Sequence, residues 1–170
     1  MSVSMYRVSA PVFVRGLKVA AELLRKAEAH VEERGIVPDA LLSARLVDDM
    51  LPLTAQVQRA SDTSKGSVER LSGVTAPKFP DDEVTFAQLQ ERIAKTIAYI
   101  ESVPQSAYDG SETREISLNF GSFKPTFNGE NYLLDFGLPN FYFHLTTLHD
   151  ILRNQGVKVG KMDFLGPYEL

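Results

Sequence analysis

The chain holds three histidines and no cysteine, so imidazoles and carboxylates are its only strong metal donors or acid–base groups near neutral pH. Two of the histidines, His144 and His149, fall in one segment, PNFYFHLTTLHDILRNQG, from Pro139 to Gly156. Its apolar spacing predicts a helix, with Pro139 suited to the first turn, Arg153 to the last, and Gly156 just past the end. An inward imidazole there can hydrogen-bond a neighbour, bind zinc or nickel, or polarise a substrate. At about 100° per residue, Ile151 falls about 20°, Leu148 about 40° and Phe141 about 60° from His144, which therefore faces the core. His149 falls about 140° away, toward the helix flank.

Two histidines on a helix clamp one metal most easily four residues apart. Here the spacing is five, and Leu148 holds the fourth position. The other polar groups come from a second helical region, where Asp49 and Gln56 lie on one rim of the inner face, about two turns apart. Either could reach an inward imidazole. Two readings follow: His144 is a buried histidine hydrogen-bonded to Asp49 or Gln56, or His144 and Asp49 together hold a metal or a substrate. His149 becomes a third ligand only if the helix distorts.

Four helical stripes position these groups. The first runs from Pro11 to Arg34 through Phe13, Leu17, Ala20, Leu24, Ala27 and Val31, with Gly35 as its stop. The second begins at Pro38 and carries Leu42, Leu46, Met50, Leu53, Val57, Ala60, Val68 and Leu71 up to Gly73. Pro52 interrupts that pattern and predicts a kink or break near Asp48 to Leu51. Thr85 caps the third helix, which presents Phe86, Leu89, Ile93, Ile97 and Ile100 before Pro104. Alternation of Ile116, Leu118 and Phe120, the Asn128-Gly129 pair, and alternation of Tyr132, Leu134 and Phe136 predict a β-hairpin turning at Asn128. The fourth helix is Pro139 to Asn154. The expectation is an all-α protein, an antiparallel four-helix bundle in a single domain (residues 1–170), with a small β-hairpin excursion between helices three and four.

Composition narrows the function. A net charge of −4 argues against a nucleic-acid partner, and no stretch is long and apolar enough for a membrane span. The N-terminal residues lack a secretory pattern, so a cytoplasmic location is expected. Without cysteine there are no disulfides, thiolate zinc sites or thiol nucleophiles. Asp81, Asp82 and Glu83 lack the spacing of a calcium loop and read as complements to the positive end of helix three. Phe120, Phe123, Phe127, Tyr132 and Phe136 read as hairpin residues packed on the bundle rather than as a ligand pocket. Apolar residues outside a single stripe, Leu51, Ala94 and Ala98, predict a homodimer.

Three stretches carry a family resemblance: ARLVDDMLPLTAQVQRASD (Ala44–Asp62), the E-x-T-F-x-x-L-x-x-R-I run from Glu83 to Ile93, and FYFHLTTLHDILRNQGVKVGKMDFLG from Phe141. The chain resembles the DinB/YfiT-like superfamily, in a branch known only as a domain of unknown function. The resemblance implies a four-helix bundle, often dimeric. It also implies kinship with divalent-metal enzymes, some of them thiol-dependent transferases, whose metal sits on one histidine of the second helix and two of the last. In this chain His144 matches one of the latter, Leu148 stands four residues on, and Asp49 lies in the region of the second-helix ligand. The expected function is therefore a small-ligand or interaction module, metal-free or weakly metal-binding. The alternative is a degenerate metalloenzyme using His144 and Asp49, and whether the chain is an enzyme stays open.

Overall fold

The structure is a computed structural model and describes residues 3–166. Helix α1 spans Met5–Arg34, α2 Pro38–Leu42, α3 Leu53–Ser72 and α4 Phe86–Ser102. Strands β1 (Glu115–Ser117) and β2 (Thr126–Asn128) follow, then α5 (Gly129–Asn131), a π-helical turn over Tyr132–Gly137, α6 (Leu138–Asn154) and α7 (Lys161–Leu165). The long helices α1, α3, α4 and α6 enclose one apolar core that includes Phe13, Leu24, Val57, Leu89, Phe141 and Ile151. The fold is thus mostly helical with one small antiparallel sheet. No helix among the described residues is long and apolar enough to cross a membrane.

Local chemistry accounts for several helix ends. Thr85 and Gln88 form a reciprocal capping box at the start of α4. Gly35 and Gly156 take the left-handed conformation (φ 63° and 85°) just past α1 and α6. Helix α1, however, starts at Met5, ahead of the expected Pro11, because the Ser4 hydroxyl accepts from Arg7 N and provides an earlier cap. Pro11 lies inside the helix.

The second helical region is broken more widely than Pro52 suggested. Residues 43–52 form a connection, and Pro52 occupies the cap position of α3 with ψ 168°. A residue before proline avoids the helical region, so Leu51 cannot continue a helix into Pro52. The connection is held by Leu53 N donating to Ala44 O (2.9 Å) and by the Thr54 hydroxyl donating to Leu42 O (3.0 Å). Asp49 is therefore not on a helix rim. It stands exposed on this connection.

The hairpin turns elsewhere than expected. Ile116 pairs with Phe127, and the chain reverses between Phe120 and Phe123, where Gly121 has φ 75°. Asn128 does not make the turn; its side chain accepts from Asn131 N (2.8 Å) and caps α5. Asparagine suits both tasks, so the Asn-Gly pair misleads by itself. Gly129 is required for another reason: a Cβ there would lie 1.8 Å from Ser111 O. The predicted strand Tyr132–Phe136 is helical instead. Leu138 N bonds Leu133 O, five residues back, and this wider turn precedes Pro139. Pro139 has no N–H to donate and its ring crowds the preceding turn, which a π-turn relieves. Tyr132 and Leu133 are buried while Leu134 is exposed, an inward set that no strand would present.

The connection from Gly73 to α4 is fixed by ions. Arg92, its side chain 1% exposed, bonds Glu83 (2.9 Å), Asp81 (3.0 Å) and Asp62 (2.8 Å). Its guanidinium lies over the Phe79 ring, and Gln58 donates to the second oxygen of Glu83. Asp81 and Glu83 thus serve Arg92, rather than acting only as complements to the helix dipole.

Candidate functional site

Packing of α3 on α6 brings Gln56 and His144 together. His144 is 9% exposed, and its Nδ1 lies 2.8 Å from Gln56 Oε1. The amide orientation is set on its far side, where Gln56 Nε2 donates to Leu51 O at 2.9 Å. With Nε2 of the amide committed as a donor, Oε1 accepts, so His144 Nδ1 carries the proton and donates to it. The imidazole's other nitrogen, Nε2, then holds a bare lone pair. Unlike Nε2 of His149, it is not sealed from solvent without a partner. Burial, reinforced by the positive charge of Arg59, pushes the His144 pKa down to about 4. The ring is neutral at pH 7 and presents an oriented acceptor.

The ring has an aromatic neighbour in sequence and feels the positive charge of an arginine on α3. Phe143, 54% exposed, meets the His144 ring edge-on at 5.3 Å, and Leu51, 45% exposed, supplies the carbonyl that holds Gln56. Arg59 is one turn along α3 from Gln56 and pairs with Asp81 and, at 3.7 Å, with Asp62. Farther along the same helix pair, Asn140 Nδ2 donates to Thr63 Oγ1 (2.9 Å). The Arg59 side chain was not foreseen here; its spacing of three from Gln56 was the available signal. Arg92 was also missed, although a cation between Leu89 and Ile93 on an apolar stripe marks a buried ion pair.

The remaining expected site residues are not brought together. Asp49 is on the exposed 43–52 connection, and the partner of His144 Nδ1 is Gln56. His149 sits on the flank, with Nδ1 3.1 Å from Asp150 and its ring edge against Phe164 of α7 at 5.8 Å. Its Nε2 is buried with no hydrogen-bond partner. Leu148 is 1% exposed and fills the core beside His144. Among the described residues, no group of three or more His, Asp, Glu or Cys is placed to hold a metal ion. One imidazole nitrogen bordered by leucine and arginine does not fit a divalent cation, which needs about three protein ligands.

A separate concavity lies elsewhere. An open groove of about 1030 Å³ runs along α1, floored by Tyr6, Val14, Val19 and Ile100, and shares no residue with the His144 site. Shape and chemistry therefore point to different places. The oriented acceptor weighs more, because the groove's lining mixes charges of both signs, Lys18, Glu22 and Glu101 among them.

Comparison with known proteins agrees with this architecture. Residues 5–165 match the family model described as domain of unknown function DUF1993. A DinB family member protein from Shewanella denitrificans, known from a crystal structure, is 38% identical, with 98% of this chain and 95% of that chain covered and a TM-score of 0.91. No curated protein matches. With its whole helical core inside the matched span and a DinB family member superposing along nearly its full length, the chain belongs to the DUF1993 family, a domain of unknown function of DinB-like kind.

Proposed function

We propose that this chain is a metal-free small-ligand-binding module, built on a DinB-like antiparallel four-helix bundle, and that ligands are received at Nε2 of His144. The observation that carries the reading is the chain of donors from Gln56 to Leu51 O and from His144 to Gln56, at 2.9 and 2.8 Å. Two hydrogen bonds, one buried and one part-buried, orient the ring so that it presents one lone pair. One nitrogen is satisfied within the protein and the other is accessible, where a ligand donor can take the place of water.

The same support behind an imidazole is found in metal sites, where a second-shell acceptor fixes the tautomer. That keeps a second reading in view, a degenerate thiol-transferase-like metalloenzyme on His144 and Asp49. Against it stand the exposed position of Asp49, the apolar Leu148 and the nearby Arg59. Zinc and nickel titration of untagged protein by calorimetry separates the two. The metal-free reading expects weak, sub-stoichiometric heat; a tight one-to-one isotherm abolished by His144→Ala would restore the enzyme.

For assembly, we propose a homodimer paired through the outer face of α4, where Ala94 and Ala98 are exposed one turn apart. Small residues allow close helix approach across a two-fold axis. Light scattering returning the 18.9 kDa mass of one chain at micromolar concentration refutes it.

A further inference from the structure

We propose that Asn128 is a site of spontaneous deamidation held closed by the fold, so that loss of its side-chain amide marks chains whose β2–α5 junction has opened. Glycine after asparagine favours this chemistry, because no side chain on the next residue obstructs its amide nitrogen. The other asparagines, Asn119, Asn131, Asn140 and Asn154, precede Phe, Tyr, Phe and Gln. In the reaction the Gly129 nitrogen attacks the side-chain carbonyl carbon of Asn128. A C–N bond forms, the bond to Nδ2 breaks, and ammonia leaves with the proton of the Gly129 N–H. Water then opens the succinimide ring at one carbonyl or the other, giving aspartate or isoaspartate at position 128.

Packing retains this reactive pair and also restrains it. Asn128 is exposed, whereas Gly129 is buried, and a Cβ at 129 would lie 1.8 Å from Ser111 O. Ring closure requires the Asn128 Cβ and the Gly129 nitrogen to be eclipsed about the Cα–C bond. At ψ 165° they are staggered, which keeps the side-chain carbon away from its nucleophile. The carbonyl is held as well, Oδ1 accepting from Asn131 N at 2.8 Å. Glu115 pairs with Asn128 across the hairpin, and Glu130 N donates to Glu112 O (3.1 Å), so the backbone is fixed on both sides. Cyclisation waits for the junction to open, and its rate is the free-chain rate multiplied by the open fraction.

The two products differ in what they do to the fold. Aspartate restores the cap, since its carboxylate accepts from Asn131 N as the amide did. Isoaspartate adds a methylene to the main chain. With Phe127 opposite Ile116, that extra atom moves Gly129 out of its seat against Ser111 O.

The test ages the full chain in mildly alkaline buffer, folded and in guanidinium chloride above its unfolding midpoint, with deamidation at each asparagine read by peptide mass spectrometry. Asn128 is expected to lead the other asparagines in the unfolded chain and to react at least tenfold more slowly in the folded one. Phe127→Ala removes the ring that faces Ile116 and meets Tyr132 edge-on at 6.3 Å, and leaves Asn128 and Gly129 in place. It is expected to speed deamidation severalfold in native buffer and to leave the guanidinium rate unchanged. Asn128→Asp should unfold at the same denaturant concentration as the native chain, and the isolated isoaspartate fraction at a lower one. Equal rates in the folded and unfolded chains, or a folded rate unmoved by Phe127→Ala, overturn the junction as the gate. An Asn128 no faster than the other asparagines in guanidinium overturns the site itself. An isoaspartate fraction as stable as the native chain overturns the account of the products.

Discussion

Lowering the pH from 7 to 5 should weaken this protein through His144, by an amount the structure lets us calculate. The imidazole titrates at about 4 in the folded chain and at its ordinary 6.5 when unfolded, because burial and Arg59 disfavour the charged ring. A base whose folded pKa is depressed leaves stability intact above 6.5. As pH falls toward 4 the unfolded chain takes up a proton that the folded chain refuses, so stability is lost across that window. The whole effect is about 3 kcal/mol at 1.36 kcal/mol per pKa unit, and the part between pH 7 and pH 5 is about 2 kcal/mol. Other groups titrate over the same range, so the quantity to measure is a difference. Urea unfolding of the native chain and of His144→Gln at both pH values isolates it, the variant keeping an amide donor toward Gln56. The native chain should lose about 2 kcal/mol more than the variant. Equal losses would show that the ring is not desolvated in the way described, and the neutral-acceptor argument would fall with it.

Three further outcomes are expected. Arg92→Met should destabilise by about 3–5 kcal/mol in urea unfolding, because Glu83 and Asp62 lose the cation that balances them within a buried network; Glu83→Gln in the same background should recover part of the loss. Asn128→Ala should cost about 1 kcal/mol in urea unfolding as the lost cap of α5, and Asn128→Gly only about a few tenths. Gly129→Ala should lower the melting temperature more than Asn128→Ala, since its methyl group would meet Ser111 O and the backbone there must shift.

Repeats of three and four residues placed all four long helices, and the cap at Thr85 and the stops at Gly35 and Gly156 were legible because each is a property of a few neighbouring residues. The inward direction of His144 was legible for the same reason, since helical period alone assigns its face. Its partner was not. Asp49 and Gln56 looked equivalent on one continuous wheel, and Pro52 set the helix start after Asp49, so only Gln56 is carried on α3. The stretch from Asn128 to Pro139 was misread because asparagine serves turns and caps alike, and because a π-turn answers to the packing of Tyr132 and Leu133 against the core rather than to any residue period.

What the sequence by itself determined is therefore the apolar stripes of the four long helices and the single imidazole aimed at the core, which follow from nearest-neighbour geometry along the chain. Only the tertiary structure decided what that imidazole meets. Gln56 and His144 are 88 residues apart, and Arg92 lies 30 residues from Asp62. Hydrogen bonds and ion pairs at such separation depend on how helices cross, and crossing is set by the fit of whole apolar faces, not by the polar groups themselves. The polar site is the part of the fold that packing leaves behind, and for that reason its chemistry became readable only once the helices were in place.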